Sequence, residues 1–263
     1  ENIYTPHPIL TFIKKENEER FNSNFVSEKS DIIFYGSSFV DHKYFIPNFK
    51  NKINYGVKSY GLDQIYTSYK ITKKNHPQKL IVIGFLPEDL DRTIFNHRNF
   101  PKLKYKKKNL IYEISNTPIS LGNKNSKEIS FYVFNFIKNI TFLIKNKYDY
   151  KTSECKIVFK KDIFKFFFND IILNSKNLNQ KIIFVTFSFL EDIEDPNWRY
   201  FFIKNYFDKN EAIHLDSIKI LKNDMLKNNL NPIDYYSSED FHLNEYGFKI
   251  IAEELNKIIE QYK

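Results

Sequence analysis

Gly36-Ser37-Ser38 closes an apolar run of Ile32, Ile33, Phe34 and Tyr35, and so places two hydroxyl groups where that run stops. The β-branched and aromatic character of the run reads as a buried strand. In an open parallel sheet the carboxyl edge of the strands is where ligands bind, because the loops there form a crevice and helix N-termini turn free N–H groups into it. A serine delivered to that edge can do one of two things. It can attack as a nucleophile once a base takes its proton, or it can cap the following helix or line a phosphate nest. The stretch by itself leaves both open.

The elements that must hold these serines follow in a regular alternation. Lys52 to Val57 (KINYGV) reads as a short second strand, and residues 62–73 carry Leu62, Ile65, Tyr66 and Tyr69 at helical spacing. Lys79 to Phe85 (KLIVIGF) is continuously apolar, as a strand covered by helices on both faces must be. Strand, helix and strand at this spacing form a βαβ crossover. From Pro87 to Lys161 the pattern loosens around one long amphipathic stretch, Lys127 to Lys147. Residues 90–160 are therefore read as an insert that leaves the active edge of the sheet and shapes the substrate pocket. Alternation returns with a helix over 162–174, a strand at 181–187 (KIIFVTF), an amphipathic stretch at 198–207 and a short strand at 212–215. In the last helix, Asn244 can act as the cap and Phe248, Ile251, Ala252, Leu255, Ile258 and Ile259 share one face. The expected architecture is a three-layer α/β/α sandwich with a mostly parallel, flavodoxin-like central sheet of about five strands. Residues 1–30 are polar and turn-rich and are expected to form an N-terminal surface segment. A chain of 263 residues buries one large core, so 1–263 is read as a single domain.

Composition narrows the function. Hydrophobic content of 42% and aromatic content of 17% exclude a disordered chain. Lys+Arg of 40 against Asp+Glu of 32 leaves +8, which would suit an anionic polysaccharide, a phospholipid surface or nucleic acid. The lysines are scattered among Asn, Ile and Phe, however, so the excess reads as compositional bias and no nucleic-acid partner is expected. Only Lys102 to Lys108 (KLKYKKK) is concentrated enough to suggest a surface-binding segment. The single cysteine, Cys155, forms no internal disulfide, and no Cys/His spacing resembles a metal site. A GxGxxG turn is absent, and no cofactor is expected. No apolar run approaches the ~20 residues of a membrane span. The chain begins at Glu1 rather than Met, which leaves room for a removed signal or anchor segment upstream.

Glycine is scarce: six in the chain, where average usage of about 7% gives about 18. Four of the six, Gly36, Gly56, Gly61 and Gly84, end or follow the first three strands, where backbone must turn sharply or approach a ligand closely. Gly36-Ser37-Ser38, NYGVKSYG (Asn54 to Gly61), GFLPED (Gly84 to Asp89) and EDFHLNEYG (Glu239 to Gly247) resemble, in order, the four blocks of the SGNH/GDSL hydrolases. The resemblance spans about residues 31 to 255, with the insert unmatched. It is closest in kind to the envelope-associated members that modify O-acyl groups on polysaccharides, including those whose first block reads GSS.

The resemblance implies roles. Ser38 becomes the nucleophile and His242 the base that takes its proton. An acidic neighbour must hold the imidazole tautomer and stabilise its cation. The family's usual three-residue step gives Glu239, and a two-residue step gives Asp240, which is favoured because aspartate is the usual type. His7, His42, His76, His97 and His214 are expected to be ordinary surface or core histidines. Two departures fall on the oxyanion hole. The glycine of the second block is replaced by Ser59, whose backbone N–H survives, and the Asn of the third block is replaced by Glu88, which can donate only when protonated. Glu88 is expected to be turned away from the hole or neutralised by Arg92 or Arg98 if the chain is an active enzyme.

The activity implied is serine-dependent acyl transfer on O-acyl, above all O-acetyl, groups of carbohydrate, through an acyl-Ser38 intermediate that passes to water (esterase) or to a sugar hydroxyl (O-acetyltransferase). The partner is then a carbohydrate or another acyl ester, and the place is the cell envelope, with a membrane anchor or assembly partner upstream of Glu1; otherwise it is the cytoplasm. The alternative is a catalytically decayed carbohydrate-binding or assembly protein of the same fold, to which Ser59 and Glu88 point.

Overall fold

The computed structural model describes residues 4–7, 9–22, 25, 30–93, 97–98, 100–101, 104–108, 111–116, 154–239 and 241–262. Strands β1 (Tyr4–His7) and β2 (Thr11–Lys14) form an antiparallel hairpin. The central sheet consists of β3 (Ile32–Gly36), β4 (Lys52–Asn54), β5 (Leu80–Phe85) and two later strands. Between them, two small antiparallel pairs, β6 (His97–Arg98) with β7 (Phe100–Pro101) and β8 (Lys104–Lys108) with β9 (Ile111–Asn116), stand in the insert. With β10 (Lys181–Thr186) and β11 (Ile213–Asp216) the sheet reads β11-β10-β5-β3-β4, and every pairing in it is parallel. All five carboxyl ends therefore lie along one edge.

The helices are α1 (Leu62–Thr72), α2 (Asp89–Arg92), α3 (Glu154–Asn177), α4 (Leu190–Glu194), α5 (Trp198–Lys209), α6 (Ser217–Asn228) and α7 (Glu245–Glu260). Successive strand residues point to opposite faces, and this explains why the strands are apolar throughout. Ile33 and Tyr35 of β3 join a core with α1, α3 and α5, whereas Ile32 and Phe34 join a second core with α6 and α7. Each face is covered, as the uninterrupted runs required. The first core is largely aromatic: Phe164 stacks on Phe168 at 4.2 Å and Phe184 on Phe207 at 4.6 Å. Such pairs contribute about 0.5–1.5 kcal/mol each beyond their buried area.

The expected three-layer α/β/α sandwich is the fold observed. Differences are local. The second strand ends at Asn54 rather than Val57, although the Tyr55 and Val57 N–H groups still bond to β3 carbonyls at 2.8 and 3.1 Å. Helix α3 is longer than expected, and α6 was not anticipated. Only Ser217, Ile218 and Leu221 of α6 are buried, too few for a clear apolar stripe; Asp216 caps it through Ile218 N–H at 3.0 Å. The insert, expected to hold no strong strand, carries β8 over most of the lysine-rich run. The amphipathic stretch 127–147 lies outside the described residues. Near the N-terminus Leu10 and Ile13 are fully buried, and Gln64 Nε2 donates to the Leu10 carbonyl at 3.1 Å. Among the described residues no helix is long and apolar enough to cross a membrane.

Candidate active site

Ser38 stands in a tight turn just beyond β3, and two glycines allow that turn. Gly36 and Gly84 are paired across β3 and β5. A Cβ on Gly36 would come 2.3 Å from Val40 Cγ2, and one on Gly84 would come 2.4 Å from the same atom. Val40 thus drops onto the sheet where side chains are missing, and the Asp41 N–H closes the turn on the Ser37 carbonyl at 3.1 Å. Ser38 is left half-buried above it, while Ser37 is fully buried.

His242 is brought to the same edge by the loop ahead of α7. Tyr236 bridges to Leu243, the Ser237 N–H bonds to the His242 carbonyl at 2.8 Å, and the Asn244 side chain caps α7 through the Gly247 N–H at 2.9 Å. Leu243 is fully buried and anchors the loop next to the histidine. The outcome is that His242 Nε2 lies 2.9 Å from Ser38 Oγ, across 204 residues of sequence. With its proton on Nδ1, the imidazole accepts the serine hydroxyl at Nε2, which is the arrangement a general base needs.

The acidic candidates fare differently. Glu239 is exposed, its backbone N–H donates to Ser237 Oγ at 3.2 Å, and its carboxylate makes no contact with His242. The structure does not bring it into the site. Asp240 lies outside the described residues.

Ser59 occupies a left-handed backbone conformation, φ 70°, in the turn between buried Val57 and Tyr60. This is the conformation that glycine adopts without strain and that costs an L-residue about 1–2 kcal/mol. Neither the Ser38 nor the Ser59 backbone N–H bonds to an acceptor among the described residues.

Glu88 does not pair with Arg92 as expected. Arg92 turns to Asp89, which also takes the Leu86 N–H at 2.9 Å. Lys160, 2.7 Å away, and Arg199 both go to Asp91. The cations of this cluster are thus committed to its other carboxylates. Glu88 is left with Asn197 Nδ2 at 3.5 Å, and its second oxygen is buried without a hydrogen bond. Burial, then the nearby Asp192 carboxylate, pushes its pKa up to about 7 against weaker opposing pulls from its own backbone N–H and then Arg199. The Arg98 side chain lies outside the described residues.

Sequence reasoning missed one neighbour. His42, taken for an ordinary histidine, stacks on His242 with ring centroids 5.3 Å apart and planes at 19°. Its four-residue spacing from Ser38 on one turn was the available signal. His7, His76 and His214 do serve as local structure: His7 Nδ1 accepts the Leu10 N–H at 3.0 Å, His76 meets Tyr55 at 3.0 Å, and His214 meets Thr186 at 2.8 Å. The His97 side chain lies outside the described residues. Among the described residues no group of three or more His, Cys, Asp or Glu could hold a metal ion.

No family model matches the sequence, and no curated protein does. Solved structures do match. A GDSL-like lipase from Bacteroides thetaiotaomicron is similar over 95% of this chain and 98% of its own, at 12% identity and a TM-score of 0.51. The acetyl xylan esterase AlAXEase is similar over 87% of this chain and 98% of its own, at 16% identity and a TM-score of 0.50. The chain therefore has the α/β/α fold of GDSL-type hydrolases.

Proposed function

We propose that this protein is a serine-dependent acyl hydrolase of the SGNH/GDSL type, acting on O-acyl, above all O-acetyl, groups of carbohydrate. The observation that carries this reading is the 2.9 Å contact between Ser38 Oγ and His242 Nε2 at the carboxyl edge of the sheet. Ser38 Oγ attacks the acyl carbonyl carbon while His242 Nε2 takes its proton. The tetrahedral intermediate then expels the sugar oxygen, which leaves with that proton, and the acyl group stays on Ser38 as an ester. Water, activated by the same imidazole, releases the acid; a sugar hydroxyl in its place makes the reaction a transfer. The free N–H groups of Ser38 and Ser59 are the donors assigned to the developing oxyanion, and Asp240 is the carboxylate assigned to the second imidazole nitrogen.

The sequence resemblance and the likeness to an acetyl xylan esterase both support an acetylated polysaccharide as substrate, and the resemblance supports a place in the cell envelope. Glu88 favours a second reading, a carbohydrate-binding protein that has lost its chemistry, since an ionised carboxylate opposes an oxyanion.

A fluorophosphonate probe tests the choice. Wild type should gain one covalent label at Ser38, Ser38→Ala none, and His242→Ala should label at least ~100-fold more slowly. Acetate should be released from acetylated xylo-oligosaccharides, and added free oligosaccharide should capture the acetyl group only if transfer competes with water. A wild type that takes no label and releases no acetate leaves the binding-protein reading in place.

A further inference from the structure

Beyond Ser38 and His242, the geometry points to His42 as a positioning residue that fixes the orientation of the His242 imidazole; this rests on the acyl-transfer reading above. Hydrogen bonds at the edge of an imidazole leave its two faces to be fixed by packing, and a misplacement of about 1 Å in a reacting group can cost about 100-fold in rate. Something must restrain the ring itself.

The five residues 38–42 provide that restraint together with the nucleophile. Phe39 lies 4.6 Å from the His242 ring, tilted by 35°, and is fully buried. His42 lies 5.3 Å from it, nearly parallel at 19°, and on α7 it meets Phe248 at 4.5 Å and 18°. His42 is thus stacked against two rings of the block that carries the base, His242 in the loop and Phe248 in the first turn of the helix. Phe248 is fully buried, so the far end of this stack is fixed in the core. Because Ser38, Phe39 and His42 share one turn, whatever sets Ser38 Oγ also sets the surface on which His242 rests. Offset parallel rings of this kind are a preferred packing geometry and resist tilting. His42 also receives the Tyr44 N–H at Nδ1, at a long 3.4 Å, which orients its own ring.

The flat face of residue 42, rather than its ability to titrate, is what this role requires. Two variants separate the possibilities against wild type: His42→Ala removes the face, and His42→Phe keeps it without the nitrogens. With p-nitrophenyl acetate, His42→Ala should lower kcat by about ten-fold or more, on the scale of misplacement effects, with KM within about two-fold. Fluorophosphonate labelling of Ser38 should slow in parallel, since it uses the same base. His42→Phe should recover kcat to within about three-fold of wild type. A melting curve for each variant reads folding separately.

Unchanged kcat in a folded His42→Ala overturns the inference while leaving the acyl-transfer reading intact. So does a rise in KM alone, which would make His42 a substrate contact. Loss in both variants, with His42→Phe folded as wild type, overturns it by showing that the imidazole nitrogens matter. Absence of turnover and of labelling in wild type removes the acyl-transfer reading, and the assignment of His42 with it.

Discussion

Replacing Glu88 with Gln should stabilise the protein above neutral pH and leave it nearly unchanged in mild acid. Glu88 has a folded pKa of about 7 against an ordinary value of 4.5, chiefly because it is buried and faces Asp192. Between those values the folded state holds a proton that the unfolded state has released, so stability falls as pH rises through the window and levels off above it. The interval of roughly 2.5 units, at 1.36 kcal/mol per unit, gives an upper bound of about 3.4 kcal/mol, and partial solvent access lowers this to about 2 kcal/mol. Gln keeps the size and removes the charge. For a chain of this length 1 kcal/mol moves Tm by about 2–4 °C, so Glu88→Gln should melt about 4–8 °C higher than wild type at pH 8 and within about 1 °C of it at pH 4.5. Thermal melts of both proteins across pH 4.5–8.5 read this directly. A Tm difference that stays constant over that range would refute the reasoning, because a purely steric effect carries no pH dependence.

Three further substitutions test the scaffold around the site. Ser59→Gly should relieve the left-handed strain at φ 70° and, after the extra freedom glycine gives the unfolded chain, stabilise by about 0.5–1 kcal/mol in chemical denaturation, without loss of esterase rate. A loss of stability would mean that the Ser59 side chain contributes more than its backbone costs. Gly84→Ala places a Cβ 2.4 Å from Val40 Cγ2 and 2.8 Å from Phe187, so it should destabilise by about 1–3 kcal/mol and slow labelling of Ser38 by shifting its turn; equal labelling rates would contradict that coupling. Asp91→Ala removes a carboxylate shared by Lys160 and Arg199, whose side chains are only 8% and 9% exposed, and should cost about 3–5 kcal/mol in urea unfolding, whereas a cost below about 1 kcal/mol would show that both cations are satisfied without Asp91.

Strands β3, β5 and β10 were legible because burial on both faces forces uninterrupted apolar runs, a signal no loop produces. Helix α7 was legible from its cap and its single apolar face. The N-terminal hairpin was not, because its largely apolar run Ile9 to Ile13 is short and follows Pro6 and Pro8, and Leu10 and Ile13 are buried by packing on the distant core that includes α1. For α6 the only cue was its cap at Asp216. In the site, a strand end marked Ser38 and a turn into the last helix marked His242, and the resemblance of those two blocks to SGNH/GDSL hydrolases gave them roles. The partner of Glu88 could not. Asn197 lies 109 residues away, and which cation goes to which of Asp89, Asp91 and Glu88 is decided by packing between α2, α3 and α5. His42 was not legible for the same reason, since its stacking depends on Phe248 and His242 folding back upon it.

The two departures from the hydrolase pattern carry different physical weight. Ser59 keeps the left-handed backbone that glycine would have supplied, so the substitution is felt in stability, by about 1 kcal/mol, while the N–H proposed as an oxyanion donor is unaltered. Glu88 concerns charge instead, and charge depends on surroundings. With Arg92 held by Asp89 and Arg199 by Asp91, no cation stabilises its ionised form strongly enough to outweigh burial, which pushes its pKa up to about 7. A protonated Glu88 neither repels a developing oxyanion nor leaves an isolated charge in the interior. The same arrangement that makes Glu88 unlike the expected Asn therefore also removes most of the objection to catalysis on the acid side of neutrality. What the substitution takes from an enzyme of this kind is then a neutral amide donor, not the electrostatic balance of the site.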